Sequence, residues 1–199
     1  MANLLTFLRL LLALPVGLAL ANDELLPASA LALLLLIAIA SDILDGKVAR
    51  SFGTASARGQ IFDHATDFIF VTAGLAGAAS ANLVPEILPI LISLAFSQYV
   101  LDSHFLYRQK SLRMSSLGRW NGVFYFGPLL LIAGARLLEK NQWAAETALT
   151  ILSLLAWALV ISTVISILDR AMAPFNIRQH AHEKAREEAH DKTKQNPVR

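Results

Sequence analysis

Four aspartates stand where an apolar chain does not ordinarily carry charge. Asp42 and Asp45 close the apolar run that starts at Leu25, and Asp63 and Asp67 lie near the start of the next one. A carboxylate at the centre of a membrane span costs about 2.5 to 3.5 kcal/mol on insertion scales, so something must offset these charges. The spacing is i, i+3 in the first pair and i, i+4 in the second, which places each pair on one helix face. The short polar connection from Ser51 to Arg58 makes the two helices antiparallel neighbours, so both pairs converge at one end. Four converging carboxylates repel one another unless a cation sits among them, and the pattern therefore points to bound metal. Oxygen-only ligands suit Mg²⁺, Mn²⁺ or Ca²⁺ and disfavour zinc, and an ion so held also binds substrate phosphates. The competing explanation is that the aspartates cap helices or pair with Arg50 and Arg58. Two same-face pairs flanked by Gly46 and Arg50 weigh against it.

The rest of the chain must position these groups. Of its 199 residues, 55% are hydrophobic and only 16% are charged, a composition of the membrane class. At about 20 apolar residues per span, this length holds about six spans and no separate soluble domain. The expected fold is an all-α polytopic membrane protein, a bundle of six transmembrane helices. The runs are Leu4–Leu20, Leu25–Ala40 continuing to Arg50, Gly59–Ala81, Glu86–Tyr107, Trp120–Leu138 and Ala144–Leu168. The breaks fall at Asn22-Asp23-Glu24, at Asn82–Pro85, in a basic loop from Arg108 to Arg119, and at Glu139–Trp143. A cleaved signal peptide is the rival reading of the first run, but no Lys or Arg precedes that run and its only cation, Arg9, lies inside it. The chain has no cysteine, which excludes disulfides and thiolate metal sites.

Sorting loops by side puts Lys47, Arg50, Arg58, Arg108, Lys110, Arg113, Arg119 and Arg170 on one face and only Arg136 and Lys140 near the other. The positive-inside rule then makes the basic face, both termini and the acidic cluster cytoplasmic. Residues 1–170 form the membrane domain and 171–199 a charged cytoplasmic tail, solvated or a frayed helical extension. Gly74 and Gly77 offer small surfaces for close helix packing, expected within the chain rather than across a dimer seam. An ion-coupled transporter is the rival from another class, but the acidic cluster stays at one end and no carboxylate relay crosses the bilayer.

Read together, Asp42-x-x-Asp45-Gly46-x-x-Ala49-Arg50, eight residues to Gly59, three to Asp63 and three to Asp67 resembles the complete signature of the CDP-alcohol phosphatidyltransferase family. The resemblance implies a metal-dependent enzyme of phospholipid biosynthesis that transfers a phosphatidyl group from CDP-diacylglycerol to a small polar alcohol and releases CMP. It implies a homodimer among membrane lipids and no nucleic-acid partner. Carried onto this chain, Asp42, Asp45, Asp63 and Asp67 hold two divalent ions, Mg²⁺ or Mn²⁺, and Asp67 is the candidate general base. Asp45, Gly46, Ala49, Arg50 and Gly59 receive the CDP-lipid, with Ser56 and Thr54 in the connecting loop able to hydrogen-bond the nucleotide.

The acceptor is a separate question. Arg108, Lys110, Arg113 and Arg119 suit a phosphorylated alcohol, since guanidinium groups grip phosphate bidentately, although positive-inside topology also accounts for them. The opening Asn3-Leu4-Leu5-Thr6-Phe7-Leu8-Arg9 resembles the start of bacterial phosphatidylglycerophosphate synthases, which implies glycerol 3-phosphate. Leu117-Gly118-Arg119 is similar to their Gly-Lys-x-Lys-Thr stretch, with Asn121 and Gly122 where Lys and Thr are expected. Inositol phosphate, serine and other alcohols are the alternatives.

Overall fold

The computed structural model of the chain describes residues 2–51, 57–101 and 116–195, with side chains over 5–44, 59, 62–101 and 117–172. Every regular element among the described residues is helical: α1 (Ala2–Ala21), α2 (Ala28–Ser51), α3 (Ala57–Ser80), α4 (Ile87–Leu101), α5 (Ser116–Phe124), α6 (Phe126–Leu137) and α7 (Gln142–Gln195). Only Tyr125 separates α5 from α6, and its backbone stays α-helical, so the two form one interrupted rod. Pro128 explains the interruption, because it has no N–H to offer the carbonyl of Phe124 one turn earlier. The rods among the described residues thus number six, at the places where the apolar runs fall.

One difference from the sequence expectation is local. Arg119, expected in a loop, lies in the first turn of α5. The last helix continues without a break past residue 170 to Gln195, a rod about 80 Å long at 1.5 Å per residue. Within it, Gln142–Met172 is the one stretch among the described residues long and apolar enough to cross a membrane; Leu5–Ala21, Ala28–Leu44 and Ile87–Leu101 are apolar but shorter.

The first helix packs most extensively on α3, and small residues are the reason. A Cβ at Gly17 would stand 2.9 Å from the carbonyl oxygen of Ala73, and one at Gly77 would collide with the carbonyl of Gly17. The two backbones therefore touch, as small residues on facing helices permit. Gly74 faces Leu129 of α6 and Leu20 of α1, so this glycine face is spent inside the chain, as expected. Along α1 the buried positions Thr6, Arg9, Ala13, Val16 and Leu20 alternate in steps of three and four, the spacing of one helix face. At the far end of α1, Arg136 donates to the carbonyls of Ala19 (2.7 Å) and Leu20 (3.2 Å), capping groups that have no partner within their own helix. The bundle's outside is apolar, with Leu14 68% exposed, Ile90 61% and Leu154 69%.

A side chain at Gly77 must push α1 away from α3. We expect Gly77→Ala to lower stability by about 1 to 3 kcal/mol, read as a lower Tm in detergent, whereas Gly134→Ala, where a Cβ meets nothing within 4 Å, leaves Tm unchanged.

Candidate active site and metal centre

The acidic groups come from α2 and α3, which were expected to be antiparallel neighbours. Instead each of these helices packs chiefly on α1 rather than on the other, because small residues on α1 and α3 allow the closer approach. Asp42 comes from α2, and Asp63 and Asp67 from successive turns of α3. What joins them is a side chain from a third helix. The Arg9 guanidinium lies 3.0 Å from Asp42 Oδ1 and 3.4 Å from Asp63 Oδ1, and it also pairs with Asp67 Oδ1. Arg9 has no solvent exposure, while the three carboxylate side chains are 40%, 31% and 27% exposed in the same order. The arginine therefore underlies the cluster and the acids face outward from it.

Around the outward face opens a cavity of about 680 Å³, lined by all five rods from α2 to α7. Asp42, His64 and Asp67 contribute from α2 and α3, and Arg119 and Arg170 from α5 and α7. Ile92, Phe96, Val123, Phe124, Phe126 and Leu130 make most of the remaining wall apolar. Tyr99 carries Arg170 over its ring at 5.0 Å, a cation–π contact that fixes the guanidinium at the cavity wall. Phe68 and Phe96 stack at 4.1 Å and close the wall between α3 and α4.

Buried polar contacts hold the α5–α6 rod on α7. The Tyr125 hydroxyl stands 2.8 Å from Thr163 Oγ1, which donates to the Leu159 carbonyl, so Tyr125 is the donor of the first bond. Ser162 Oγ donates to Asn121 Oδ1 at 2.6 Å, and Asn121 is 3% exposed. Asn121 thus packs against α7, and both it and Gly122 line the cavity.

The donor set fits a divalent cation. Asp63, His64 and Asp67 each present one ligand atom, all within 4.8 Å of one another and partly exposed. Trans ligands of an octahedral ion with bonds of about 2.1 Å stand about 4.2 Å apart, so small inward shifts close a shell. His64 adds a nitrogen to what the sequence suggested would be oxygen alone. Its signals in the sequence were adjacency to Asp63 and the i, i+3 spacing to Asp67.

A family model described as CDP-alcohol phosphatidyltransferase matches residues 1–175. The chain belongs to the CDP-alcohol phosphatidyltransferase family. No characterised protein and no solved structure matches it. Members of this family are phosphotransferases that move a phosphatidyl group from a CDP-alcohol to an alcohol; they depend on divalent metal and are usually integral to membranes. The match spans nearly all the described helices and includes every residue of the cavity.

Of the residues singled out in the sequence, the structure brings together Asp42, Asp63, Asp67 and Arg119 around one cavity region. Gly59 lies in the first turn of α3, partly buried. The backbone of Asp45, Gly46, Ala49 and Arg50 is in the last two turns of α2, and their side chains lie outside the described set. Thr54, Ser56, Arg108, Lys110 and Arg113 lie outside the described residues altogether. Sequence reasoning missed Arg9, His64 and Arg170 as site residues. Arg9 carried a usable signal, a lone cation inside an apolar run and in register with the buried face of its helix.

If Asp63, His64 and Asp67 share one ion, Asp63→Asn, Asp67→Asn and His64→Ala each weaken Mn²⁺ binding by about tenfold or more. Electron paramagnetic resonance of free Mn²⁺ over purified protein reads this directly. An unchanged affinity in His64→Ala removes the imidazole from the ligand set.

Proposed function

We propose that this chain is a six-span membrane enzyme that transfers the phosphatidyl group of CDP-diacylglycerol to glycerol 3-phosphate and releases CMP at a cytoplasmic site. One observation carries the reading within the family: a single cavity presents metal-ligating carboxylates, two arginines and a long apolar wall. An amphiphilic donor needs that combination, with its diphosphate at the acids and its lipid portion along Ile92, Phe96, Phe124 and Leu130. The apolar exterior of the rods supports the membrane assignment, since contiguous exposed apolar surface of this extent needs a non-aqueous partner.

Asp42, Asp45, Asp63 and Asp67, with His64 beside them, would hold two divalent ions, Mg²⁺ or Mn²⁺. Divalent ions bound to these residues would supply charge neutralisation at the donor's diphosphate. Asp67 takes the proton from the acceptor hydroxyl, whose oxygen then bonds to the phosphorus that carries the diacylglycerol. The bond from that phosphorus to the bridging oxygen breaks, and CMP leaves with the electron pair. Gly46, Ala49 and Gly59 leave room for the nucleotide against the helix backbones, with Arg50 at the diphosphate and Ser56 near the base or ribose. A side chain at Gly59 removes that room, so we expect Gly59→Leu to lose CDP-lipid binding.

Arg119 and Arg170 support a phosphorylated acceptor, because both guanidiniums line the cavity that Asp67 reaches. Arg108, Lys110 and Arg113 precede α5 and would extend this basic rim. The opening segment through Arg9 favours glycerol 3-phosphate, and Asn121 and Gly122, which stand where Lys and Thr were expected, leave inositol phosphate and serine as the acceptors to test against it. A homodimer and a cytoplasmic tail beyond residue 170 complete the proposal.

The deciding experiment is CMP release by the detergent-purified protein with CDP-diacylglycerol and Mg²⁺ or Mn²⁺, run in parallel with glycerol 3-phosphate, inositol phosphate, serine and no acceptor. Release that needs glycerol 3-phosphate and stops with EDTA is expected. Release with serine but not with glycerol 3-phosphate overturns the acceptor assignment. Asp67→Asn is expected to fold and to lose turnover. Arg170→Met should raise KM for glycerol 3-phosphate by about tenfold, the loss of one charged hydrogen bond, with KM for CDP-diacylglycerol unaltered.

A further inference from the structure

We propose that Arg9 is a resident counter-ion of the acidic cluster, a positioning residue that holds Asp42, Asp63 and Asp67 together in the folded bundle before any divalent ion binds. The consequence is that the ion is exchangeable rather than structural. That consequence rests on the metal-site reading above, whereas the counter-ion role stands on contacts alone.

The contacts come from three helices. Arg9 on α1 reaches Asp42 on α2 and both aspartates on α3, and it does so from a position with no solvent exposure. A guanidinium does not shed its charge on burial, so its neutralisation here is permanent, which a lysine's would not be. Its planar fork also presents several donors at once, as three carboxylates require. Each of the three pairs uses the Oδ1 atom of its aspartate. A carboxylate has two oxygens with about four lone-pair sites, so a group held by one oxygen keeps the other for a second cation. The outward exposure of the acids gives that cation a side of its own, away from Arg9.

Without Arg9, a divalent ion would be the charge that keeps these carboxylates adjacent, and folding would then be tied to metal, as in proteins that fold only when their site is filled. With it, metal can leave and return to a formed site. The same contact anchors the N-terminal half of α1, whose close crossing with α3 at Gly17 and Gly77 lies two turns further along.

Thermal unfolding in detergent, in EDTA and again in excess Mn²⁺, separates the roles. The parent should melt cooperatively in EDTA and gain only the modest increment that ligand binding confers. Arg9→Gln should melt on the order of 10 °C lower in EDTA, the consequence of stranding buried charge, and should regain most of that loss in Mn²⁺. Arg9→Lys should lose less than Arg9→Gln, and Arg9→Gln/Asp63→Asn should melt above Arg9→Gln in EDTA. A loss of equal size in EDTA and Mn²⁺ would mark Arg9 as packing only and overturn the proposal, as would a Tm in EDTA equal to the parent's. Should Arg9→Gln yield no folded protein, Arg9→Gln/Asp63→Asn decides: recovery supports the counter-ion role, and continued failure to fold overturns it. A parent that releases no CMP but gives this melting pattern defeats the catalytic reading and leaves Arg9's role intact.

Discussion

A guanidinium with no access to solvent must be neutralised by whatever packs around it, and in this bundle that is three carboxylates from two helices. Removing one partner of such a buried ionic group is strongly destabilising, because the remaining charge is stranded where water cannot reach it. The arrangement ties α1, α2 and α3 together at one end. It also explains how acidic side chains can collect at the end of apolar helices without driving them apart. One guanidinium offsets one of three carboxylate charges, and this partial charge balance underlies the other features of the site.

Packing delivers that balance. Arg9 reaches the aspartates because α1 lies against α3 at backbone distance, which Gly17 and Gly77 allow. Eight residues separate Arg9 from Gly17, about 12 Å along the helix, and the stripe of buried positions between them keeps both on one face. Arg136 secures the opposite end of α1 through its last carbonyls. One helix is thus pinned at both ends by arginines with different tasks, one meeting acids and one meeting backbone.

The cavity beside the acids joins two kinds of surface that a soluble active site seldom combines over such a length. Its polar groups sit at the cluster and at Arg119 and Arg170, and its remaining wall is aliphatic and aromatic. For a family whose donors carry a nucleotide on a lipid, this division follows the substrate's own. The buried Asn121–Ser162 and Tyr125–Thr163 contacts hold the α5–α6 rod on α7, so the arginine-bearing helices keep a fixed relation across the cavity. Asn121, unexpected when compared with phosphatidylglycerophosphate synthases, thereby has a packing task of its own.

Much of this was legible in the chain itself. The i, i+3 and i, i+4 spacing of the aspartates and the places of the apolar rods follow from spacing and composition, which are local properties governed by helix periodicity, whereas the expected adjacency of α2 and α3 does not hold because both pack on α1. The signature from Asp42 to Asp67 pointed to the family that the match over residues 1–175 shows. Tertiary structure alone decided that Arg9 meets the acids. Arg9 meets them from dozens of residues away in sequence, because helix crossing at small residues, rather than sequence distance, brings α1 to the acids. Tertiary packing likewise set Arg170 of α7 against Tyr99 of α4 at the cavity wall, whereas the nearness of His64 to Asp63 and Asp67 is local to α3. Periodicity determines the face on which a side chain lies, but only the packing of whole helices determines what stands opposite that face.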